Sequence, residues 1–183
     1  MTGIALRRTP WWFRRSDRSA DAATDNFGGG KLAGDAMAKA LNGRGKVAII
    51  SHPEVECGIQ RTKGFKEALS KYPDMKIVAE LPGKGQRDTS FKVAQDIVQG
   101  HSDLGGLFAI NDPTAFGAVA AIEKAGLSGK IKVIGFDGMP EAKQAVKDGR
   151  IYADVVQHPD MIAKMTIDSI RRYMAGEKVP HTT

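Results

Sequence analysis

The most informative stretch of this sequence is Leu104–Pro140, LGGLFAINDPTAFGAVAAIEKAGLSGKIKVIGFDGMP. It contains two short apolar runs, Leu104–Ile110 and Ile131–Phe136, which are separated by apolar residues at near-helical spacing. Runs of this length on either side of a helical pattern predict a β-α-β unit with parallel strands. Ligands bind open parallel sheets at the carboxyl ends of the strands. Asn111 and Asp137, the polar residues that directly follow the two runs, are therefore candidates for a binding site.

The same alternation extends over residues 25–157. Three further apolar runs predict strands at Lys46–Ile50, Met75–Leu81 and Ile151–Val156, and helical patterns separate all five runs. Five strands that alternate with helices predict an α/β fold, a doubly wound parallel sheet of strand order 2-1-3-4-5 with helices on both faces.

A glycine-rich helix is predicted to begin at Asp25-Asn26 and to end at Asn42-Gly43. Its glycines, among them Gly30 and Gly34, lack the spacing and the preceding strand of a dinucleotide-binding fingerprint. We interpret them as positions of close helix packing or helix entry.

The composition excludes several classes of protein. No apolar run is long enough to cross a bilayer, and the single cysteine, Cys57, excludes an internal disulfide framework. The net charge is +6, and residues 1–24 supply half of it through five arginines against two aspartates. The remaining charges are interspersed, which argues against a nucleic-acid partner.

Residues 1–24 and residues 158–183 fall outside the predicted core. The first segment is basic, lacks the apolar stretch of a signal peptide and is expected to be a disordered or extraneous leader; a membrane-surface or nucleic-acid arm is the alternative. The second segment contains a predicted helix, Asp160–Met174, with an apolar side.

Four polar residues form the candidate ligand-binding set. Asn111, Asp137 and Gln157 each follow a strand, and Arg61 lies one turn into the helix after the first strand. Amide, carboxylate and guanidinium groups supply both donors and acceptors, which suits the hydroxyls of a neutral polyhydroxylated ligand better than a phosphate. Asp112 is expected to be the N-cap of the helix, which leaves Asn111 free to bind a ligand.

The sequence gives little support for catalysis, and we expect neither an enzyme nor a metal or cofactor site. Cys57 has no evident histidine partner, and the four histidines are spread along the chain without metal-ligand spacing. The sequence contains no GxSxG motif.

Several motifs together resemble the type I periplasmic sugar-binding proteins of ABC importers, especially the ribose-binding group. They run from about Asp25 to Val179 and comprise Asp25-Asn26, Gly29-Gly30-Lys31, Gln60-Arg61-Thr62-Lys63-Gly64-Phe65, Ala109-Ile110-Asn111-Asp112, Gly135-Phe136-Asp137-Gly138-Met139-Pro140, Asp148-Gly149 and Gln157. The resemblance implies that Arg61, Asn111, Asp137 and Gln157 bind a monosaccharide such as ribose. It also implies a membrane permease as partner and a periplasmic or extracytoplasmic location.

The resemblance covers only the second of the family's two lobes. It implies that residues 25–157 are the carboxy-terminal ligand-binding lobe and that residues 158–183 are a crossover helix and a truncated tail belonging to a first lobe. A complementary first lobe is then a possible partner, and a fragment that binds nothing alone is an alternative. The loop Pro82–Arg87 lacks the family's aromatic residue, which leaves the preferred sugar open. Sugar-responsive transcriptional repressors share this core and are another alternative.

Overall fold

The computed structural model describes residues 23–177 and Val179. The predicted leader at residues 1–24 and the last residues of the tail therefore lie almost entirely outside the described part. Its elements, in chain order, are α1 (Asn26–Ala40), β1 (Gly45–Ser51), α2 (Glu56–Leu69), β2 (Met75–Pro82), α3 (Arg87–Gly100), β3 (Leu104–Ala109), α4 (Asp112–Lys124), β4 (Lys132–Asp137), α5 (Pro140–Lys147), β5 (Ala153–Val156) and α6 (Pro159–Met174).

The five strands form one parallel sheet of order β2-β1-β3-β4-β5. This confirms the predicted fold class and strand order. The order reverses between β1 and β3, so the helices that follow these two strands lie on opposite faces and leave a crevice at the carboxyl edge. Strand β5 is shorter than predicted, because it begins at Ala153 rather than Ile151.

Alternate residues of each central strand enter two separate cores, as the period of two in a strand requires. In β1, Val47 and Ile49 pack with α1 and α2, whereas Ala48 and Ile50 pack with α3 and α4. Helix α5 adds Ala142 to the second core. Both faces of the sheet are covered, which explains why the strand sequences are continuously apolar.

Helices α1 and α2 approach each other through glycine. A side chain at Gly30 would collide with the backbone carbonyl of Arg61, and one at Gly34 would lie 2.6 Å from the Cβ of Ala68. Gly64 of α2 meets the backbone of α1 in the same way. The prediction that the α1 glycines serve close packing is confirmed, and this packing places Arg61 close to the sheet.

Helix α6 lies outside the compact unit formed by residues 24–157. None of its residues is buried, and Met161, Ile167, Ile170 and Tyr173 are each more than half exposed. The apolar side predicted for this helix is therefore solvent-exposed. Among the described residues, no helix combines the length and the apolar character that crossing a membrane requires.

Candidate ligand-binding site

The carboxyl edge of the sheet carries the three polar residues predicted to follow strands. Asp137 is the last residue of β4, Asn111 follows β3 after one residue, and Gln157 directly follows β5. Because the sheet is parallel, all three lie at the same edge. The backbone N–H of Gln157 donates to the carbonyl oxygen of Asp137 at 3.0 Å, so β4 and β5 remain paired up to the site.

Arg61 reaches this edge from α2 and is 5% exposed. Its Nε donates to Oδ1 of Asn26 at 2.9 Å, and its Nη1 donates to the carbonyl oxygen of Ile110 at 2.7 Å and to Oδ1 of Asp137 at 3.0 Å. The guanidinium also lies over the ring of Phe136, 3.8 Å from its centroid. One side chain therefore connects α1, the end of β3 and β4.

Asp137 is held between Arg61 and Gln157. Its Oδ1 accepts from Arg61 and also from Nε2 of Gln157 at 2.5 Å, while Oε1 of Gln157 accepts from the hydroxyl of Thr24 at 2.6 Å. Asp137 has φ 130°, a conformation that costs a residue with a side chain about 1–3 kcal/mol. The charge-assisted bonds to its carboxylate offset this strain.

Asn111 occupies the same edge but does not join that network. Its Oδ1 accepts from the backbone N–H of Thr114 at 3.0 Å, and its Nδ2 donates to the carbonyl oxygen of Gly85 at 3.3 Å. The prediction that Asp112 caps α4 and leaves Asn111 free is therefore wrong. Asn111 has the extended backbone of a cap residue, so its own side chain reaches the first turn of the helix.

Asp112 has a different role from the one predicted. It is the first residue of α4, it is fully buried, and its Oδ2 accepts from the backbone N–H of Met139 at 2.7 Å. Burial raises the pKa of this carboxyl above the ordinary aspartate value, and the hydrogen bond from Met139 opposes the shift.

Sequence reasoning missed Thr24 and Asn26 as members of this site. Both lie at the start of α1 and contact residues that are remote in sequence, Gln157 and Arg61 respectively. The Asp25-Asn26 pair predicts a helix start, and Asp25 does cap α1 by accepting from the N–H of Gly28 at 2.8 Å. Nothing local indicates that the neighbouring Asn26 turns toward α2.

The arrangement supplies both acceptors and donors at the sheet edge. Among the described residues, Asp137 accepts side-chain hydrogen bonds only through Oδ1, and Arg61 donates only through Nε and Nη1. Oδ2 of the carboxylate is therefore left as an acceptor and Nη2 of the guanidinium as a donor. A carboxylate oxygen next to a guanidinium nitrogen suits a pair of hydroxyls, one donating and one accepting. In residues 23–177, no group of three or more His, Cys, Asp or Glu side chains is placed to hold a metal ion.

Comparisons with known proteins show the family to which this chain belongs. Residues 14–178 match the family described as the periplasmic binding protein domain. The chain therefore belongs to the periplasmic binding protein domain family.

Relatives in this family include sugar-binding proteins of bacteria. The ribose import binding protein of Salmonella typhimurium is 33% identical over 166 residues, which are 90% of this chain and 55% of that protein. The D-ribose/D-allose-binding protein of Pseudomonas aeruginosa is 35% identical over 158 residues, 86% of this chain and 49% of that protein. The chain spans about half the length of the curated relatives it matches.

A solved structure shows the same likeness. The crystal structure of an ABC transporter periplasmic solute binding protein from Actinobacillus succinogenes, with bound D-allose, matches with a TM-score of 0.86 and 35% identity. The match covers 89% of this chain and 58% of that chain.

Proposed function

We propose that residues 25–157 form a ligand-binding lobe of a sugar-importer binding protein and that the lobe holds a monosaccharide at its carboxyl edge. The observation that carries this proposal is the meeting of Arg61, Asp137 and Gln157 in one hydrogen-bonded group. Such a fixed group offers hydroxyls donors and acceptors whose directions are set before the ligand arrives. Asn111, at the neighbouring strand end, is the fourth proposed ligand residue.

The sugars of the relatives narrow the ligand class. Ribose and allose appear in the names of two relatives, and allose is bound in the structure from Actinobacillus. We propose an aldose of this kind as the ligand, because a carboxylate and an amide at neighbouring strand ends bind adjacent hydroxyls rather than a charged group. The role in import, through a membrane permease and outside the cytoplasm, is proposed from the same relatives.

The proposal includes a second lobe that covers the ligand from the other side. The carboxyl edge is open in this unit, since the Asp137 side chain is 25% exposed. Enclosing a sugar between two lobes would remove most of its surface from water and strengthen every hydrogen bond to it. Residues 158–183 are proposed to form the crossover to that lobe, so the exposed apolar side of α6 would be covered there.

The first experiment is an NMR titration of the chain with D-ribose and D-allose. We expect weak, saturable shifts of the backbone amides of Asn111, Asp137 and Gln157, because only one side of the ligand is held. Asp137→Asn keeps the size of the side chain and removes its charge, so it should abolish the shifts. Asp96→Asn, at an exposed aspartate of α3, should leave them unchanged. Shifts that persist in Asp137→Asn would place the ligand elsewhere.

The second experiment restores the other side of the site. The chain is mixed with a separately expressed first lobe of a relative, and sugar binding is followed by calorimetry. Losing the charged acceptor should weaken binding by about 2–4 kcal/mol, so Asp137→Asn should raise the Kd for the sugar by about 30- to 900-fold. Equal Kd values for the parent chain and Asp137→Asn would refute the assigned site.

A further inference from the structure

Two buried carboxyl groups lie beneath the proposed site and belong to none of its hydrogen bonds to Arg61 or Gln157. They are Asp112, the first residue of α4, and Asp154, the second residue of β5. Within the described part of the chain, Oδ1 of Asp112 and both carboxylate oxygens of Asp154 are buried without a hydrogen-bond partner. No Lys, Arg or His side chain of residues 23–177 lies within 4.0 Å of either carboxyl group.

The two groups meet over a single glycine. Gly135 of β4 pairs in register with Asp154 of β5. A Cβ atom at Gly135 would lie 2.8 Å from Oδ1 of Asp154 and 3.2 Å from Oδ1 of Asp112. Both oxygens therefore point into the space that a side chain would fill, and the glycine leaves room for them to approach each other.

Charged groups around the pair make two negative charges unfavourable. Asp137, on β4, adds a third carboxylate, and its own charge is paired with Arg61 of α2. The charged side chains of α5, which packs against β5, are exposed and belong to Glu141, Lys143 and Lys147. Burial, followed by the neighbouring Asp112, raises the pKa of Asp154 to about 7. Two buried carboxyls this close are expected to titrate as a unit.

We propose that Asp112 and Asp154 hold one proton between them, as a carboxylic acid hydrogen-bonded to a carboxylate, and that this pair positions Asp137. The hydroxyl of Asp154 donates to Oδ1 of Asp112, which gives a partner to one otherwise unpaired oxygen of each group. Oδ2 of Asp112 accepts from the N–H of Met139, two residues after Asp137. The pair thereby fixes the turn in which Asp137 and Gly138 both have positive φ. When both carboxyls ionise, repulsion loosens that turn.

The experiment is a pH titration followed by NMR on the chain without sugar, so its outcome does not depend on the proposed function. The amide resonance of Met139 reports the charge of the pair, because its N–H donates to Asp112. The parent chain should show a midpoint near pH 7 at Met139. Asp154→Asn supplies a side-chain N–H in place of the acid proton and should abolish that midpoint. Asp96→Asn, at an exposed aspartate, should retain it.

Urea unfolding as a function of pH gives a second readout. A raised pKa in the folded state means that the folded chain binds the proton more tightly than the unfolded chain. The stability that this proton contributes is present below the ordinary aspartate value of 3.8 and is lost as the pH rises to about 7. The urea midpoint of the parent chain should therefore fall over this interval, and that of Asp154→Asn should fall less.

Three results would overturn the proposal. One is a Met139 midpoint that persists unchanged in Asp154→Asn. Another is a constant difference in urea midpoint between the parent chain and this variant across the whole pH range. The third is a rise of the urea midpoint on addition of calcium chloride in the parent chain but not in Asp154→Asn, which would mean that a cation rather than a proton joins the two carboxyls. If Asp154→Asn does not fold, Asp112→Asn is the equivalent variant, since it removes the partner of the same proton.

Discussion

The packing of α1 on α2 yields a prediction about Gly30. Replacing Gly30 with alanine places a Cβ atom against the backbone carbonyl oxygen of Arg61, at a distance that real Cβ atoms do not adopt. A backbone carbonyl in a helix cannot rotate away, so α1 and α2 must separate, by roughly 1 Å for an ordinary contact. Gly34 and Gly64 also lie against the opposite helix, so the strain spreads along the whole interface.

The expected magnitude follows from two opposing terms. Overpacking of a close interface costs about 1–3 kcal/mol, and the backbone collision places Gly30→Ala at the upper end. Alanine has a better helix propensity than glycine, which adds back about 1 kcal/mol of stability. We expect Gly30→Ala to lower the free energy of unfolding by about 2 kcal/mol.

Gly100→Ala is the matched control for this change. Gly100 is the last residue of α3, is exposed, and has nothing within 4 Å of an added Cβ. This variant should be neutral or gain up to about 1 kcal/mol. Urea unfolding followed by circular dichroism measures both variants, and the Nε–H resonance of Arg61 reports whether its bond to Asn26 shifts. If Gly30→Ala is as stable as Gly100→Ala, the glycines do not set the helix distance.

Three further predictions concern single side chains. Arg61→Lys loses the hydrogen bond to Asn26 and the stacking on the Phe136 ring, so it should lower the free energy of unfolding by about 2–3 kcal/mol. The control Arg44→Lys, at an exposed arginine, should change it by less than about 0.5 kcal/mol. Equal effects of the two variants would contradict the buried role of Arg61. Asn111→Ala removes the N-cap of α4, so it should lower the free energy of unfolding in urea by about 1 kcal/mol. An unchanged urea midpoint would contradict the capping role of Asn111. Cys57 is an exposed free thiol, so Ellman's reagent should react with one thiol per folded chain at the same rate as with the chain unfolded in urea. A slow reaction that urea accelerates would show that the fold protects Cys57.

Much of the fold follows from local signals in the sequence. Short apolar runs, glycines and prolines mark the strands and turns because burial on both faces and tight turns impose these residue types directly. The strand order follows as well, since right-handed crossovers and a doubly wound pattern leave few topologies. The ends of the elements are harder to predict. Strand β5 begins at Ala153, two residues after the predicted Ile151, because Ile151 is apolar and buried but its N–H donates to the carbonyl oxygen of Ala145 rather than to a strand.

The candidate site was predicted only in part. The rule that residues after parallel strands meet at one edge brought out Asp137 and Gln157, and the structure joins them to Arg61. The same rule does not say which of two adjacent residues caps a helix, and the structure gives the cap of α4 to Asn111, whereas Asp112 accepts from the N–H of Met139. The ligand contacts of the four candidate residues stay a prediction, which the sugar titration tests.

The sequence by itself determined the layered α/β fold and the edge at which polar groups collect, because periodicity and chain direction are local properties. Only the tertiary structure decided which atoms meet there. The bond between Arg61 and Asn26 joins residues 35 positions apart, and the approach of Asp112 and Asp154 depends on the register that pairs Gly135 with Asp154. A one-residue shift of that register would turn Asp154 to the opposite face of the sheet, and no local pattern in the sequence encodes that pairing.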